Sequence, residues 1–148
     1  MVYKLSDVLS RHHPGIYRLV GNWRSAHIDA LCRLKGFQLY RVDASCAGSK
    51  QRLLRMLSRQ MHLPAWFGHN WDALADALTD LPLRGPGAVL LLHGLDRLAR
   101  HAPADVNTLL EVLGEAVGFW SKSGVRFYVL VDGMRAAELP ATGTTRPG

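Results

Sequence analysis

A continuous apolar run, Ala88-Val89-Leu90-Leu91-Leu92, constrains the fold more than any other segment of the chain. A strand without alternating polar residues is buried on both faces, as in parallel sheets, so helices must cover both sides of its sheet. Helical patterns separate this run from three further strand-like segments, residues 16–20, 37–42 and 127–131. The sequence therefore predicts an α/β fold with a small, mainly parallel three- to four-stranded sheet, flanked by helices and built with right-handed crossovers.

The most specific pattern in the chain is LPAWFGHNWDALADALTD, residues 63–80. A Pro-containing aromatic loop and a Gly turn precede a short helix, for which Asn70 is a good N-cap. Carboxylates on one face of this helix recur every fourth residue, at Asp72, Asp76 and Asp80. Residues 60–83 contain no Lys or Arg, although the net charge of the chain is +6. An acidic patch rimmed by aromatic residues predicts a surface for a cationic partner.

This pattern is similar to the signature of the barstar family, the small intracellular inhibitors of the ribonuclease barnase. The similar positions follow one another without a gap, as L-P-x-aromatic-aromatic-G-x-N-x-D-A-L-x-D-x-L-T, and the order of predicted elements from Phe37 to Gly133 also fits the family. The resemblance implies an inhibitor without catalytic activity or cofactor. Such a protein would block the active site of a small basic guanyl-type ribonuclease and protect the bacterium that produces it.

The resemblance also implies roles for individual residues. Asp72 and Asp76 would occupy the pocket that normally holds a substrate phosphate and would bind the Arg, Lys and His side chains there. Trp66 would touch the nuclease, and Phe67 would support the loop. The other predicted partner-binding positions are Gly68, Asn70, Ala75, Thr79 and, on the last long helix, Glu115, for which Glu111 is the alternative.

Three of these positions have specific expected functions. Gly68 is expected either to adopt a positive φ or to admit the partner backbone closely. Asn70 is expected to act mainly as a cap, and Thr79 as a contact at the rim. The family has Trp, Trp, an acidic residue and an aliphatic residue where this chain has Ala75, Leu81, His69 and Trp71. These departures bear on which partner is bound.

Charge and composition divide the chain into three parts. Residues 1–36 carry +4 and read as a strand–helix extension, which we expect to pack on the core and to extend the sheet. Residues 37–133 carry +1 and form the predicted barstar-like domain. Residues 134–148 end in a Thr/Gly/Pro-rich segment, which predicts a disordered tail. Basic residues crowd the helix before the motif, at Lys50, Arg52, Arg55 and Arg59.

An enzyme is poorly supported by the sequence. Asp72, Asp76 and His69 could pair as acid and base, and His12-His13 could bind a metal, but no nucleophile or ligand set accompanies them. Glycines 85 and 87 lack the strand–GxGxxG–helix context of a phosphate loop. No catalysis, metal or cofactor is therefore expected. Cys32 and Cys46 show no metal or redox spacing and are expected to be reduced thiols.

The basic balance raises nucleic-acid binding as an alternative, through residues 50–59 and the cations Arg11, Arg18, Arg24, Arg33 and Lys35. No base-reading motif accompanies this charge, so we favour scattered solvated residues. No apolar run approaches the roughly 20 residues that span a bilayer, and no secretory h-region is visible, which predicts a cytoplasmic protein. A diverged module with another protein partner stays open, as do the nuclease, the oligomeric state and the role of residues 1–36.

Overall fold

The computed structural model describes residues 2–64, 68–134 and 139–143. Its strands form one parallel sheet in the order β1-β6-β2-β5-β4-β3. The strands are β1 (Val2–Lys4), β2 (Ile16–Leu19), β3 (Gln38–Asp43), β4 (Gly87–His93), β5 (Arg126–Val131) and β6 (Ala141–Gly143). The helices are α1 (Leu5–Arg11), α2 (Ser25–Lys35), α3 (Lys50–Gln60), α4 (Trp71–Leu78), α5 (Asp96–His101) and α6 (Pro103–Lys122).

The two central strands are buried on both faces, as the apolar run predicts. All residues of β4 except the last, and all residues of β5 except the first, are buried. Because successive side chains point to opposite faces, the sheet supports two cores. One core lies beneath α3 to α6 and contains Leu90 and Val129. The other lies beneath α1 and α2 and contains Leu91 and Leu130.

The crossovers from β1 through to β5 keep one hand. From β1 to β2 and on to β3 the chain advances across the sheet, with α1 and α2 on one face. From β3 to β4 and β5 it returns, with α3 to α6 on the other face. The direction in which the chain crosses the sheet and the face on which its helices lie reverse together. The hand of the crossovers therefore stays the same, as the rule of right-handed crossovers requires.

The predicted size of the sheet was wrong: it has six strands in the described residues, not three or four. The two additional strands, β1 and β6, have three residues each. Such short strands carry no readable alternation, and they are stabilised by pairing between opposite ends of the chain, with Val2 opposite Ala141. Within residues 1–36, β2 pairs with the central strand β5, with Ile16 opposite Val129.

The expected disorder of residues 134–148 was wrong for residues 141–143. These form β6, which lies between β1 and β2 and pairs with both. Thr142 is fully buried, and its hydroxyl donates to the carbonyl oxygen of Tyr3 at 2.8 Å. Composition predicts disorder here, but a position between two strands provides hydrogen-bond partners for the backbone of even a Thr/Gly segment.

Helix boundaries differ from the predicted ones at two places. Ser25, just before the helical pattern of residues 28–34, predicts an N-cap, but it is already helical, and Arg24 occupies the cap position. Asp105 likewise predicts the cap of the long helix, but α6 begins at Pro103, and the short α5, which was not predicted, lies before it. Proline at the first helical position loses no hydrogen bond, because that N–H has no partner within a helix.

The edge strand β3 is protected by two glutamine side chains. Gln60 accepts from the backbone N–H of Asp43 at 2.8 Å and donates to its carbonyl oxygen at 3.0 Å. Gln38 accepts from the N–H of Arg84 at 2.7 Å and donates to the carbonyl oxygen of Pro82 at 3.3 Å. The bonds of Gln60 pair the backbone groups at the end of β3, and those of Gln38 hold a loop beside its start. Both hinder pairing of this sheet edge with another chain.

Cys32 is buried in α2, and Cys46 is exposed. Burial, and secondarily the charge of Asp29, raises the pKa of the Cys32 thiol to about 11. Cys32 therefore stays protonated at neutral pH and packs as a small apolar residue. Among the described helices, none is long and apolar enough to cross a membrane.

Candidate functional site

Asn70 caps α4 as predicted. Its Oδ1 accepts a hydrogen bond from the backbone N–H of Ala73 at 2.7 Å, and its Nδ2 donates to the carbonyl oxygen of Gly68 at 3.4 Å. The cap pairs one N–H that the helix itself leaves unpaired, and it ties the helix start to the preceding loop. Asp72 lies in this first turn, where the helix macrodipole favours a negative charge.

The carboxylates Asp72, Asp76 and Asp80 are all exposed. Asp72 and Asp76 stand one helical turn apart, with their Cβ atoms about 5–6 Å from each other. The spacing predicts Asp80 on a third helical turn. Asp80 instead follows the C-cap Thr79, so it lies in the turn after α4. Within the part of the chain that the structure describes, none of the three forms an ion pair. This face of α4 is an open anionic surface.

The opposite side of α4 is anchored in the core. Leu74 and Leu78 are fully buried. The indole N–H of Trp120, on α6, donates to the carbonyl oxygen of Leu78 at 2.9 Å. This bond pairs a carbonyl group that the helix C-terminus leaves unpaired, and it holds α4 against α6. The two carboxylates therefore project from a helix that is fixed at both ends.

Replacing Trp120 by Phe tests this anchor. The Trp120→Phe variant loses the bond to Leu78 and leaves its carbonyl without a partner, so we expect about 1–2 kcal/mol of destabilisation in urea unfolding. Ser121→Ala, at an exposed position on the same helix, is the control and should change stability by less than about 0.5 kcal/mol. Equal stability of Trp120→Phe and the wild type would show that the bond does not hold α4.

Ala75 and Thr79, two predicted partner-binding positions, are half-buried. The hydroxyl of Thr79 donates to the carbonyl oxygens of Ala75 and Asp76, both at 3.1 Å, and so closes the end of the helix. Ala75 packs against the core. Each residue thus has a role in the fold, and its contact with a partner stays a prediction.

The loop before α4 is described only in part, because Trp66 and Phe67 lie outside the described residues. In the described part of the loop His69 is left-handed, with φ of 54°, and the positive φ given as one option for Gly68 stays a prediction. A Cβ at Gly68 would lie 3.2 Å from the Nδ2 atom of Asn70. The glycine therefore lets the loop approach the cap, and its contact with a partner stays a prediction.

Glu111 and Glu115 are both exposed and lie one turn apart on α6, the helix that holds α4 in place. Glu115 stays the predicted member of the acidic surface, with Glu111 as the alternative. Trp71, which departs from the family pattern, packs partly against the core. The Nζ atom of Lys50 lies 6.0 Å from the centroid of its ring, so a cation flanks the start of the acidic helix.

A second group of polar side chains, which the sequence analysis missed, lies at the carboxyl ends of β3, β4 and β5. The Nδ1 atom of His93 lies 2.9 and 3.0 Å from the two carboxylate oxygens of Asp132. Hydrogen bonds from the side chain and backbone of Ser45, and then the charge of His93, hold the pKa of Asp43 below its usual value. The sequence did contain a signal for this group, because a polar residue ends or directly follows each of the three strands: Asp43, His93 and Asp132.

A family model described as Barstar (barnase inhibitor) matches residues 37–132, about two thirds of the chain. The chain belongs to the barstar family. The matched range contains α4 and all predicted partner-binding positions of this barstar-family protein, and residues 1–36 precede it. A search of curated proteins finds no match.

Solved structures resemble more of the chain than the barstar match does. The structure of the Aeropyrum pernix ORC2 protein in ADPNP–ADP complexes aligns with a TM-score of 0.59 at 16% identity, over 94% of this chain and 43% of that one. A Drosophila ORC structure bound to DNA aligns with a TM-score of 0.56 at 12% identity, over 91% and 38%. The barstar-family chain thus spans less than half of these chains. At such identities the likeness shows the fold alone.

Proposed function

We propose that this barstar-family protein inhibits a small basic ribonuclease by inserting Asp72 and Asp76 into its active site. The supporting observation is that two exposed carboxylates, which form no ion pair among the described residues, project from a helix fixed at both ends, inside the range that the family model matches. The protein supplies no catalytic group and needs no cofactor. It acts in the cytoplasm of a bacterium that makes the nuclease.

The chemistry of the site fits this function. A ribonuclease active site holds cationic side chains around the substrate phosphate, and two carboxylates one helical turn apart offer those cations several charge-assisted hydrogen bonds. Because α4 is fixed by its cap and by Trp120, little conformational entropy is lost on docking. The surrounding contacts are proposed to come from Trp66, Gly68, Asn70, Ala75, Thr79 and Glu115 or Glu111.

The direct test is a titration of the purified protein into an RNA-cleavage assay with a small basic ribonuclease. Cleavage should stop at a one-to-one ratio. Binding should weaken as ionic strength rises through about 0.15 M, where the Debye length is about 8 Å. A ribonuclease without a cationic active site is the control and should stay active. If no small basic ribonuclease is inhibited, the acidic face of α4 serves another protein partner.

Charge reversal on α3 should change the rate of association. Arg55 and Arg59 are exposed and lie in the helix before the acidic motif, so they repel a cationic nuclease at long range. We expect Arg55→Glu with Arg59→Glu to speed association, by about tenfold or less at low salt. At 1 M salt the Debye length is about 3 Å, and the difference should disappear. Slower association would mean that α3 touches the partner.

A second candidate function is binding of nucleic acid by α3. Arg52, Arg55 and Arg59 are exposed at intervals of three and four residues, so they form one row on a helix without acidic residues. Such a row suits a phosphate backbone. Binding of RNA by the isolated protein, weakened by salt and by Arg55→Gln, would support this candidate; failure to bind RNA at low salt would exclude it.

A further inference from the structure

A cavity of about 340 Å³ opens at the carboxyl ends of β3 and β4, on the face of the sheet that α2 covers. Its volume lies within the range of small-ligand sites, about 300–1,000 Å³. The cavity lies outside the carboxyl ends of the strands, the side on which ligands of open parallel sheets are bound, although it lies beside the edge strand β3 and not at a topological switch point. The apolar part of the lining comes from Trp23, Val42 and Leu91, and the charged or titratable part from Arg41, Asp43 and His93.

The polar groups of the cavity are held in place by neighbours. Gln60 bonds both backbone groups of Asp43, and the N–H of Ser45 donates to its Oδ1 at 3.0 Å. The carboxylate of Asp132 holds the Nδ1 edge of His93, and its Oδ1 also accepts from the N–H of Gly94 at 2.6 Å. Side chains fixed in this way by a surrounding layer of hydrogen bonds are what a binding site requires.

An aromatic wall completes the cavity. The indole of Trp23 meets the imidazole of His93 edge-on, with 5.4 Å between ring centroids. Trp23 is half-buried, and its contact with His93 places it over the ends of the strands. An indole in this position offers a broad apolar surface with only two rotatable side-chain bonds.

Arg41 and Asp43 bring opposite charges to the same cavity. They are two residues apart on β3, so their side chains share one face of the sheet, with their Cα atoms about 6–7 Å apart. Arg41 donates to the hydroxyl oxygen of Ser25 at 3.3 Å. Neither Arg41 nor Asp43 belongs to an ion pair among the described residues, so both charges are available to a ligand.

We propose that this cavity binds a free α-amino acid with an apolar or aromatic side chain. The ligand carboxylate bonds the guanidinium of Arg41, its ammonium group bonds the carboxylate of Asp43, and its side chain packs on Trp23. A purely anionic ligand would be repelled by Asp43, and a purely cationic one by Arg41, whereas a small zwitterion satisfies both. This site is separate from the acidic face of α4 and does not depend on ribonuclease binding.

Binding is tested by NMR on the full chain labelled with ¹⁵N-tryptophan, in which the indole signal of Trp23 is assigned with Trp23→Phe. The probe is L-phenylalanine, and the matched analogues are 3-phenylpropanoate, which lacks the ammonium group, and phenethylamine, which lacks the carboxylate. We expect L-phenylalanine to shift the Trp23 signal saturably. Each analogue should bind at least about tenfold more weakly, because it leaves one charged group of the site unpaired.

Two variants assign the contacts. Arg41→Gln should weaken binding of L-phenylalanine at least about tenfold, and Arg41→Lys should recover part of it. Asp43→Asn keeps an oxygen that can accept from Ser45, so the loop is preserved, but the variant should bind L-phenylalanine and 3-phenylpropanoate about equally. Arg55→Gln, which removes a cation outside the cavity, is the control and should bind L-phenylalanine as the wild type does. Thermal unfolding of each variant shows that the fold is kept.

Three outcomes would overturn the proposal. The first is the absence of any saturable shift of the Trp23 signal with L-phenylalanine or with another apolar amino acid. The second is tighter binding of a nucleoside monophosphate than of any amino acid, which would assign the cavity to a different ligand class. The third is unchanged discrimination between L-phenylalanine and 3-phenylpropanoate in Asp43→Asn.

Discussion

Asp76→Ala is expected to abolish inhibition of the cognate ribonuclease while leaving the fold intact. Asp76 lies on the exposed face of α4 between Asp72 and Asp80 and matches the main anionic anchor that the family resemblance implies. Removing one partner of a desolvated charge pair at the centre of an interface costs about 2–5 kcal/mol or more, because the nuclease cations lose their counter-charge. This corresponds to a loss of affinity of at least about thirtyfold.

Stability should change little, because alanine is a good helix former and the Asp76 side chain has no ion pair among the described residues. Inhibition constants and urea unfolding curves of Asp76→Ala and the wild type give the two quantities. Asp7→Ala, which removes an exposed carboxylate from α1, is the matched control and should inhibit normally. Wild-type inhibition by Asp76→Ala would refute the assignment of the α4 face.

Deleting residues 1–36 is expected to prevent stable folding. The deletion removes two helices, α1 and α2, which cover one face of the central strands. It also removes β1 and β2, the two strands with which β6 pairs. The exposed sheet residues would be Val89, Leu91, Tyr128 and Leu130. Each buried aliphatic side chain in the lost layer contributes about 1.5–3 kcal/mol, and a domain has only about 5–15 kcal/mol of net stability. Circular dichroism and NMR spectra of the truncated chain measure the result.

A matched pair of substitutions on α2 tests the same layer without truncation. Ile28 is fully buried, and Leu34 is 81% exposed. Ile28→Ala should cost about 2–5 kcal/mol in urea unfolding, and Leu34→Ala less than about 0.5 kcal/mol.

If the truncated chain folds as stably as the whole one but no longer inhibits, residues 1–36 belong to the partner interface instead.

Local sequence signals predicted α4 well, because their physics is local. An N-cap acts on the N–H groups two or three residues ahead, and Asn70 does bond Ala73. The spacing of Asp72 and Asp76 places them on one face wherever the helix packs. The same reasoning wrongly placed Asp80 on this face of the helix. The helix ends before Asp80, where the hydroxyl of Thr79 bonds the last carbonyl groups and a turn follows.

The cavity and its polar residues could not be found in this way. His93 and Asp132 are 39 positions apart in the chain, and nothing in the sequence next to either residue indicates a site. They meet because β4 and β5 are parallel neighbours in register, which brings their carboxyl ends to the same edge of the sheet. Sequence periodicity identifies strands but does not state their order, so it cannot say which strand ends are adjacent.

The sequence by itself determined the α/β class, the burial of the central strands on both faces, the capped acidic helix and the family signature around it. All of these depend on residues within one element or one short motif. Only the tertiary structure decided that the sheet of the described residues has six strands, that residues 141–143 lie between β1 and β2, and that Trp23 lines the same cavity as Arg41, Asp43 and His93. The physical reason is that a three-residue strand or a polar cavity is stabilised by partners brought together from distant parts of the chain.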